Sequence, residues 1–273
     1  MNLYDRIQET AAFLRTKTDI QPVAGIILGS GLGLLADHVT DAVAIPYGEI
    51  PHFPAQSTVL GHAGKLIFGQ LDGKPVMMMA GRFHYYEGYS LDEVTFPVRV
   101  MKAMGAGTLL VSNAAGGMNR DYKVGDIAII TDHINLHPEH PLRGRNDERL
   151  GPRFPDMSEP YSLELIARAK RLAAEQGIEV KTGVYTGLQG PTFETRAEYH
   201  WLHTIGADLV GMSTVPEVIV AIHGGMRCFG ASIVTDLGIR EELNVITHEE
   251  VLEAANAAAP KLAAIFTAVV NSL

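Results

Sequence analysis

The residues Gly187-Leu188-Gln189-Gly190-Pro191-Thr192-Phe193-Glu194-Thr195 set an aromatic ring beside a carboxylate where a Gly/Pro-rich turn gives way to a helical pattern. Phe193 offers a flat face to a planar ring or a sugar, and an ionised Glu194 can accept two hydrogen bonds from N–H groups on that ring's edge. A purine presenting N1–H and an exocyclic amine matches the pair. The same two residues also read as a core aromatic and a first-turn carboxylate favoured by the helix dipole. Taken alone, the segment leaves both readings open.

Four further segments and one lone histidine carry chemistry. In Gly29-Ser30-Gly31-Leu32-Gly33, glycines let backbone N–H groups converge on an anion and the Ser30 hydroxyl adds a donor; a purely structural turn has the same composition. Gly81-Arg82-Phe83-His84-Tyr85-Tyr86-Glu87-Gly88 supplies a cation. Arg82 and His84 are two apart, so in an extended segment both point to one side, where guanidinium and imidazole could grip one phosphate with Tyr86 beside them. The competing reading is a solvated strand end. His62, in Gly61-His62-Ala63-Gly64, is a third possible donor or a structural turn residue. Small residues in Ser112-Asn113-Ala114-Ala115-Gly116-Gly117-Met118 allow a flat ring or a phosphate close to the backbone, or close packing against a helix. In Gly211-Met212-Ser213-Thr214-Val215-Pro216-Glu217, Met212 could pad a sugar and Ser213 could donate to phosphate. That segment also reads as a helix start, with Ser213 or Thr214 as cap and Pro216 in the first turn.

These segments must be positioned by the elements around them. Apolar runs at 23–28, 66–71, 76–80, 109–111, 127–130, 184–186 and 229–234 predict strands, several with little alternation, as in strands covered on both faces. Helical spacing recurs at 3–14, 91–104, 163–176 with Gly177 as stop, and 196–205; residues 34–39 can form a further helix. A last helix starts at Thr247-His248-Glu249-Glu250, a capping-box pattern. The expected architecture is one three-layer α/β/α domain over residues 1–273, with a mixed central sheet. Residues 137–160, polar and rich in Pro and Arg, predict a long functional or interface loop. The anion-ready segments follow strands, where open α/β sheets usually bind ligands.

Composition narrows the function classes. With 47% hydrophobic residues, a net charge of −9 and no long basic run, the chain is a poor candidate for nucleic acid or anionic membranes. An anionic substrate would be gathered by a few placed cations. The single Cys228 excludes an internal disulfide and suits a reducing cytoplasm; it reads as an inert core residue. No stretch approaches the roughly 20 apolar residues of a membrane span, so the protein is expected to be soluble and unexported. A nicotinamide dehydrogenase is disfavoured because Leu34 stands where the dinucleotide fingerprint needs its third glycine. No pair among the 11 His stands in a zinc pattern, so no metal is expected. A non-catalytic nucleoside-binding protein could keep Phe193 and Glu194 but has no need of Arg82, His84 and Ser30.

Segments 29–33, 81–89, 112–119, 190–194, 211–218 and 248–252 resemble, in order and at comparable separations across nearly the whole chain, those of the trimeric purine nucleoside phosphorylase family. The resemblance implies reversible phosphorolysis of purine (2′-deoxy)ribonucleosides to free purine and (2-deoxy)ribose 1-phosphate, with inorganic phosphate as co-substrate and no cofactor. By the same resemblance, phosphate would be held by Ser30, His62, Arg82, His84, Ser213 and the backbone at Ala114. Tyr86, Met212 and His248 would hold the ribose, with Asn113 between phosphate and sugar. Phe193, Glu194, Val210 and Asp236 would surround the base, and His84, Glu194 and Asp236 would carry the catalysis. A homotrimer is implied, with Phe154 closing a neighbouring subunit's sugar site. Many members that use 6-oxopurines have Asn in the segment that reads Val234-Thr235-Asp236 here; Asp is similar to related phosphorylases acting on 6-amino nucleosides. Glu194 argues the other way, because N1 of guanine or hypoxanthine is a donor and N1 of adenine an acceptor. The expectation is a preference for inosine and guanosine, with more adenosine turnover than an Asn enzyme would show.

Overall fold

Each of the seven apolar runs becomes a strand in the computed structural model of the chain, which describes residues 1–29, 33–54, 63–239 and 247–273. Among these residues the strands form one nine-stranded mixed sheet. They are β1 (Ala24–Ile27), β2 (Thr40–Pro46), β3 (Lys65–Leu71), β4 (Lys74–Ala80), β5 (Thr108–Gly117), β6 (Ile127–Asn135), β7 (Lys181–Gly187), β8 (Leu209–Gly211) and β9 (Arg227–Leu237). The helices are α1 (Leu3–Arg15), α2 (Leu91–Ala103), α3 (Leu163–Glu175), α4 (Arg196–Thr204), α5 (Val215–His223) and α6 (His248–Asn271). The strand order is β2-β3-β4-β1-β5-β8-β7-β6-β9, and β9 also pairs with β5, so the last five strands close into a ring. β1, β4, β5 and β9 run parallel to one another, while β6, β7 and β8 run against β5 and β9.

Helices cover both faces. A Cβ on Gly25 would run into Met101 of α2, while Leu28, three residues on and therefore on the opposite face, sits with Ala259, Leu262 and Phe266 of α6. This is the expected three-layer arrangement. Leu14, Ile26, Leu110, Phe229 and Val269 are fully buried in its core, as is Cys228, whose thiol is pushed up by burial.

Four features depart from or extend the expectations. Residues 112–117 are not a loop after a strand: β5 continues through them, because β9 runs alongside and pairs as far as Asp236 and Leu237. Strands β2 and β8 were not expected; β2 has a short apolar run at 42–45 but is a largely exposed edge strand, and β8 has three residues. The helix start at Thr214 is a full helix, α5, whose nearly all-apolar face-to-face composition hid its period. At 33–38 the chain forms a 3-10 helix instead of an α-helix. Residues 136–162 contain neither strand nor α-helix, as predicted for the long loop.

Candidate active site

Parallel strands ending on one side of the sheet gather a cleft from distant parts of the chain. Gly29 follows β1, Arg82 and His84 follow β4, Asn113 to Gly116 lie on the far half of β5, and Thr235 and Asp236 lie near the end of β9. The turn before α4 contributes Phe193 and Glu194, the turn before α5 contributes Met212 and Ser213, and α6 contributes His248 and Val251. The cleft opens to solvent, and its lining mixes apolar side chains with a few convergent polar groups, as small-molecule sites do.

Arg82 is anchored at the floor. Its Nε and Nη2 each donate to Glu217 at 3.0 Å, and Nη1 donates to the Ser112 carbonyl at 2.6 Å. Arg82 and Glu217 are only 1% and 2% exposed, so the bidentate pair fixes the guanidinium plane in a low-dielectric setting. Glu217 sits in the first turn of α5, where the helix dipole favours its charge. It also accepts from the Thr214 backbone N–H at 3.1 Å. Thr214 has φ 68°, a region that costs a β-branched residue strain. That backbone turn carries Ser213 into the cleft and gives Asn113 a partner: Asn113 Nδ2 donates to Thr214 Oγ1 at 2.8 Å. The buried Asn113 Oδ1 has no hydrogen-bond donor among the described residues, an acceptor available to a ligand hydroxyl.

His84 is extended, and the chain then tightens into a 3-10 turn over Tyr85–Glu87. Tyr86 therefore reaches the cleft by the turn and not by strand alternation, and its ring stacks on His84 at 4.7 Å and 17°. Glu87 Oε1 lies 2.8 Å from His84 Nδ1 and also accepts from its backbone N–H at 3.0 Å. Burial lowers the His84 pKa against the opposing pull of Glu87. The neutral tautomer with its proton on Nδ1 leaves Nε2 as the acceptor.

The opposite end holds acid groups. A capping box between Thr195 and Glu198 starts α4, which fixes Phe193 and Glu194 just ahead of the helix. A bulge in β9 shifts its register with β5, so that Ala115 faces Val234 while Gly116 faces Asp236; such a bulge re-aims a side chain. Asp236 Oδ1 accepts from Thr235 Oγ1 at 3.0 Å and Oδ2 accepts from the Tyr199 hydroxyl at 3.5 Å. The Tyr199 hydroxyl also lies beside Glu194. Burial raises the Glu194 pKa, and the charges of Asp236 and Glu198 add to it; its own backbone N–H and Tyr199 oppose the rise.

The phosphorylase superfamily model matches residues 23–271. Purine nucleoside phosphorylase 1 of Geobacillus stearothermophilus is 53% identical over 247 residues, covering 90% of each chain. The chain belongs to the purine nucleoside phosphorylase family. The Rattus norvegicus purine nucleoside phosphorylase is 52% identical over 266 residues, covering 95% of this chain and 92% of the relative. The solved Schistosoma mansoni purine nucleoside phosphorylase in complex with inosine superposes with a TM-score of 0.93 at 44% identity, covering 98% of this chain and 96% of that one. A structure of the Schistosoma mansoni enzyme in complex with adenosine gives the same TM-score and identity, covering 98% and 97%.

Of the residues expected from the family resemblance, Arg82, His84, Tyr86, Asn113, Ala114, Phe193, Glu194, Val210, Met212, Ser213, Asp236 and His248 line this one cleft. Ser30 and His62 lie outside the described residues. Phe154 is 86% exposed and does not line its own chain's cleft. Sequence reasoning missed Tyr199, Glu217 as the partner of Arg82 and Thr214 as the partner of Asn113. Thr214 and Glu217 left a trace in the helix-start signal, Thr214 as a cap and Glu217 as a carboxylate following it.

Among the described residues no group of three or more His, Cys, Asp and Glu could hold a metal ion. No helix there is long and apolar enough to cross a membrane.

Proposed function

We propose that the chain catalyses the reversible phosphorolysis of purine (2′-deoxy)ribonucleosides, and that it prefers inosine and guanosine. The observation that carries this reading is the polarity of the cleft: Arg82, His84, Ser213 and the unpartnered acceptor of Asn113 stand in the same enclosure as Phe193, Glu194 and Asp236. Family membership supports it, since the relatives named above are purine nucleoside phosphorylases.

Cleaving an N-glycosidic bond builds positive charge on the ribose and negative charge on the departing purine, and a site must stabilise both. Phosphate acts as the nucleophile, in the part that a protein carboxylate plays in retaining glycosidases. Arg82 donates to the phosphate and His84 Nε2 accepts from its P–OH group, with Ser213 and the Ala114 backbone as further donors and, by the family resemblance, Ser30 and His62. Glu217 fixes the Arg82 plane and offsets its charge, so the anion is held chiefly by directed hydrogen bonds. Tyr86, Met212 and His248 enclose the ribose, and Asn113 accepts a ribose hydroxyl. Glu194 accepts from the purine N1 edge while Phe193 covers the ring. Asp236 serves the departing base at N7: protonated it donates to N7, ionised it accepts N7–H.

The exposed Phe154 belongs to a homotrimer in which it closes the sugar site of the neighbouring subunit. The enzyme works in the cytoplasm on small molecules and needs no cofactor. The test is purine release from inosine, guanosine and adenosine, each with and without inorganic phosphate. Phosphate-dependent release led by inosine and guanosine is expected; nucleoside binding with no release withdraws the enzyme reading.

Asp236 beside Glu194 favours one second reading, a phosphorylase that prefers 6-amino nucleosides. Adenosine leading the same assay would establish it.

A further inference from the structure

We propose that Tyr199 sets the balance between 6-oxo- and 6-aminopurines in this cleft, by supplying a single hydroxyl proton that Glu194 and Asp236 must share. The proposal rests on the purine-binding reading above and deepens it.

Tyr199 lies on α4, five residues after Glu194, and its side chain packs among Met118, Leu202, Ala207 and Val210. It is 4% exposed. Two glycines make room for it. A Cβ on Gly116 would stand 3.1 Å from Asp236 Oδ2 and 3.6 Å from the Tyr199 hydroxyl, and one on Gly238 would run into the Tyr199 ring. The ring is therefore seated against backbone while its hydroxyl donates to Asp236 at 3.5 Å and lies beside Glu194. Burial and the two adjacent negative charges push its pKa well up, so the hydroxyl remains a donor at every working pH.

One O–H can serve one carboxylate at a time. By donating into this acidic end of the cleft, the hydroxyl lowers the Glu194 pKa against the burial that raises it, so Glu194 stays ionised to lower pH. An ionised Glu194 accepts the N1–H of a 6-oxopurine and repels the N1 lone pair of adenine. Without the hydroxyl, the pair takes up a proton at higher pH, and a neutral carboxyl can donate to an adenine ring nitrogen. Among the described residues, the other ionisable groups near the pair are Glu198 on α4, whose charge raises the Glu194 pKa, His248 at the start of α6, and Arg82, His84 and Tyr86 beyond β4. Tyr199→Phe leaves all of them in place and keeps the ring on Gly238.

The test is equilibrium binding of hypoxanthine and adenine, by calorimetry between pH 5.5 and 9, to the wild type, Tyr199→Phe, Asp236→Asn and the double variant. Binding needs no turnover, so the result is independent of whether phosphorolysis itself is observed. A rise of one unit in the pair's apparent pKa changes its protonated fraction by about tenfold. Tyr199→Phe is therefore expected to lower the hypoxanthine-to-adenine affinity ratio about tenfold near neutral pH, with the acid limb of hypoxanthine binding moved to higher pH. Asp236→Asn, which leaves the hydroxyl to Glu194 alone, raises the ratio. In the Asp236→Asn background the Tyr199→Phe effect shrinks to less than about threefold, because the two sites are coupled. An unchanged ratio and an unmoved acid limb in Tyr199→Phe overturn the proposal, as does an equal effect in both backgrounds. Should Tyr199→Phe fail to fold, the direction of the Asp236→Asn shift decides.

Discussion

Glu217→Gln tests the claim that the cation of the phosphate site is held by a buried counter-charge. Gln keeps the size of the side chain and an oxygen for the Thr214 N–H, but removes the charge that faces the Arg82 guanidinium at 3.0 Å on two nitrogens. With both partners almost fully buried, solvent cannot take over, and breaking such a pair costs about 3–5 kcal/mol. For a chain of this size each kcal/mol lowers the melting temperature by roughly 2–3 °C, so the variant should melt about 6–15 °C below the wild type. The isolated Arg82 charge then finds its counter-ion in the ligand. Inorganic phosphate should therefore raise the melting temperature of Glu217→Gln by more than it raises that of the wild type. Differential scanning calorimetry across a phosphate series reads both effects. A variant that melts within about 1 °C of the wild type, or that gains no more from phosphate, refutes the reasoning that Glu217 both anchors and offsets Arg82.

Three other outcomes follow from the geometry. Burial holds His133 and His137 near pKa 4, below the ordinary 6.5; the unfolded chain binds more protons between these values, so stability is complete above about pH 6.5 and falls towards pH 4, by on the order of 2–3 kcal/mol for each residue. Melting curves across this range should show the loss, and His137→Phe, which removes two buried ring nitrogens without partners among the described residues, should flatten it; an equally steep fall in the variant counts against the assignment. Gly238→Ala places a methyl against the Tyr199 ring and should cut kcat/KM for inosine by more than about tenfold, so a kinetically normal variant shows the ring is free to move. Phe154→Ala, at an exposed position, should leave the melting temperature unchanged yet raise KM for nucleosides about tenfold, with sedimentation reporting whether a trimer forms; an unchanged KM removes Phe154 from the sugar site.

Much of the scaffold was legible because local physics produces it. Uninterrupted apolar runs can be satisfied only inside a covered sheet, and the capping box at Thr247 marks a helix start within four residues of sequence. Failures came where the deciding partner is remote. Residues 112–117 carry little apolar signal of their own, and they are strand only because β9 pairs with them from more than a hundred positions away. β8 has three residues and depends on β5 and β7 for its existence. The order and spacing of the glycine-rich and polar segments were enough to point to the family, which the 53% and 52% identical relatives establish.

The sequence by itself determined which side chains were chemically able to bind an anion, a sugar and a ring, and that most of them follow strands, because residue type and hydrophobic period are local properties. Tertiary structure alone decided how those groups are charged and held. Arg82 and Glu217 are 135 positions apart and Tyr199 and Asp236 are 37 apart. No spacing rule links such pairs; they meet because the strand order, the β9 bulge and the seat on Gly238 bring them to the same buried end of the sheet. There, water is excluded, and each charge is set by the few groups within hydrogen-bonding reach.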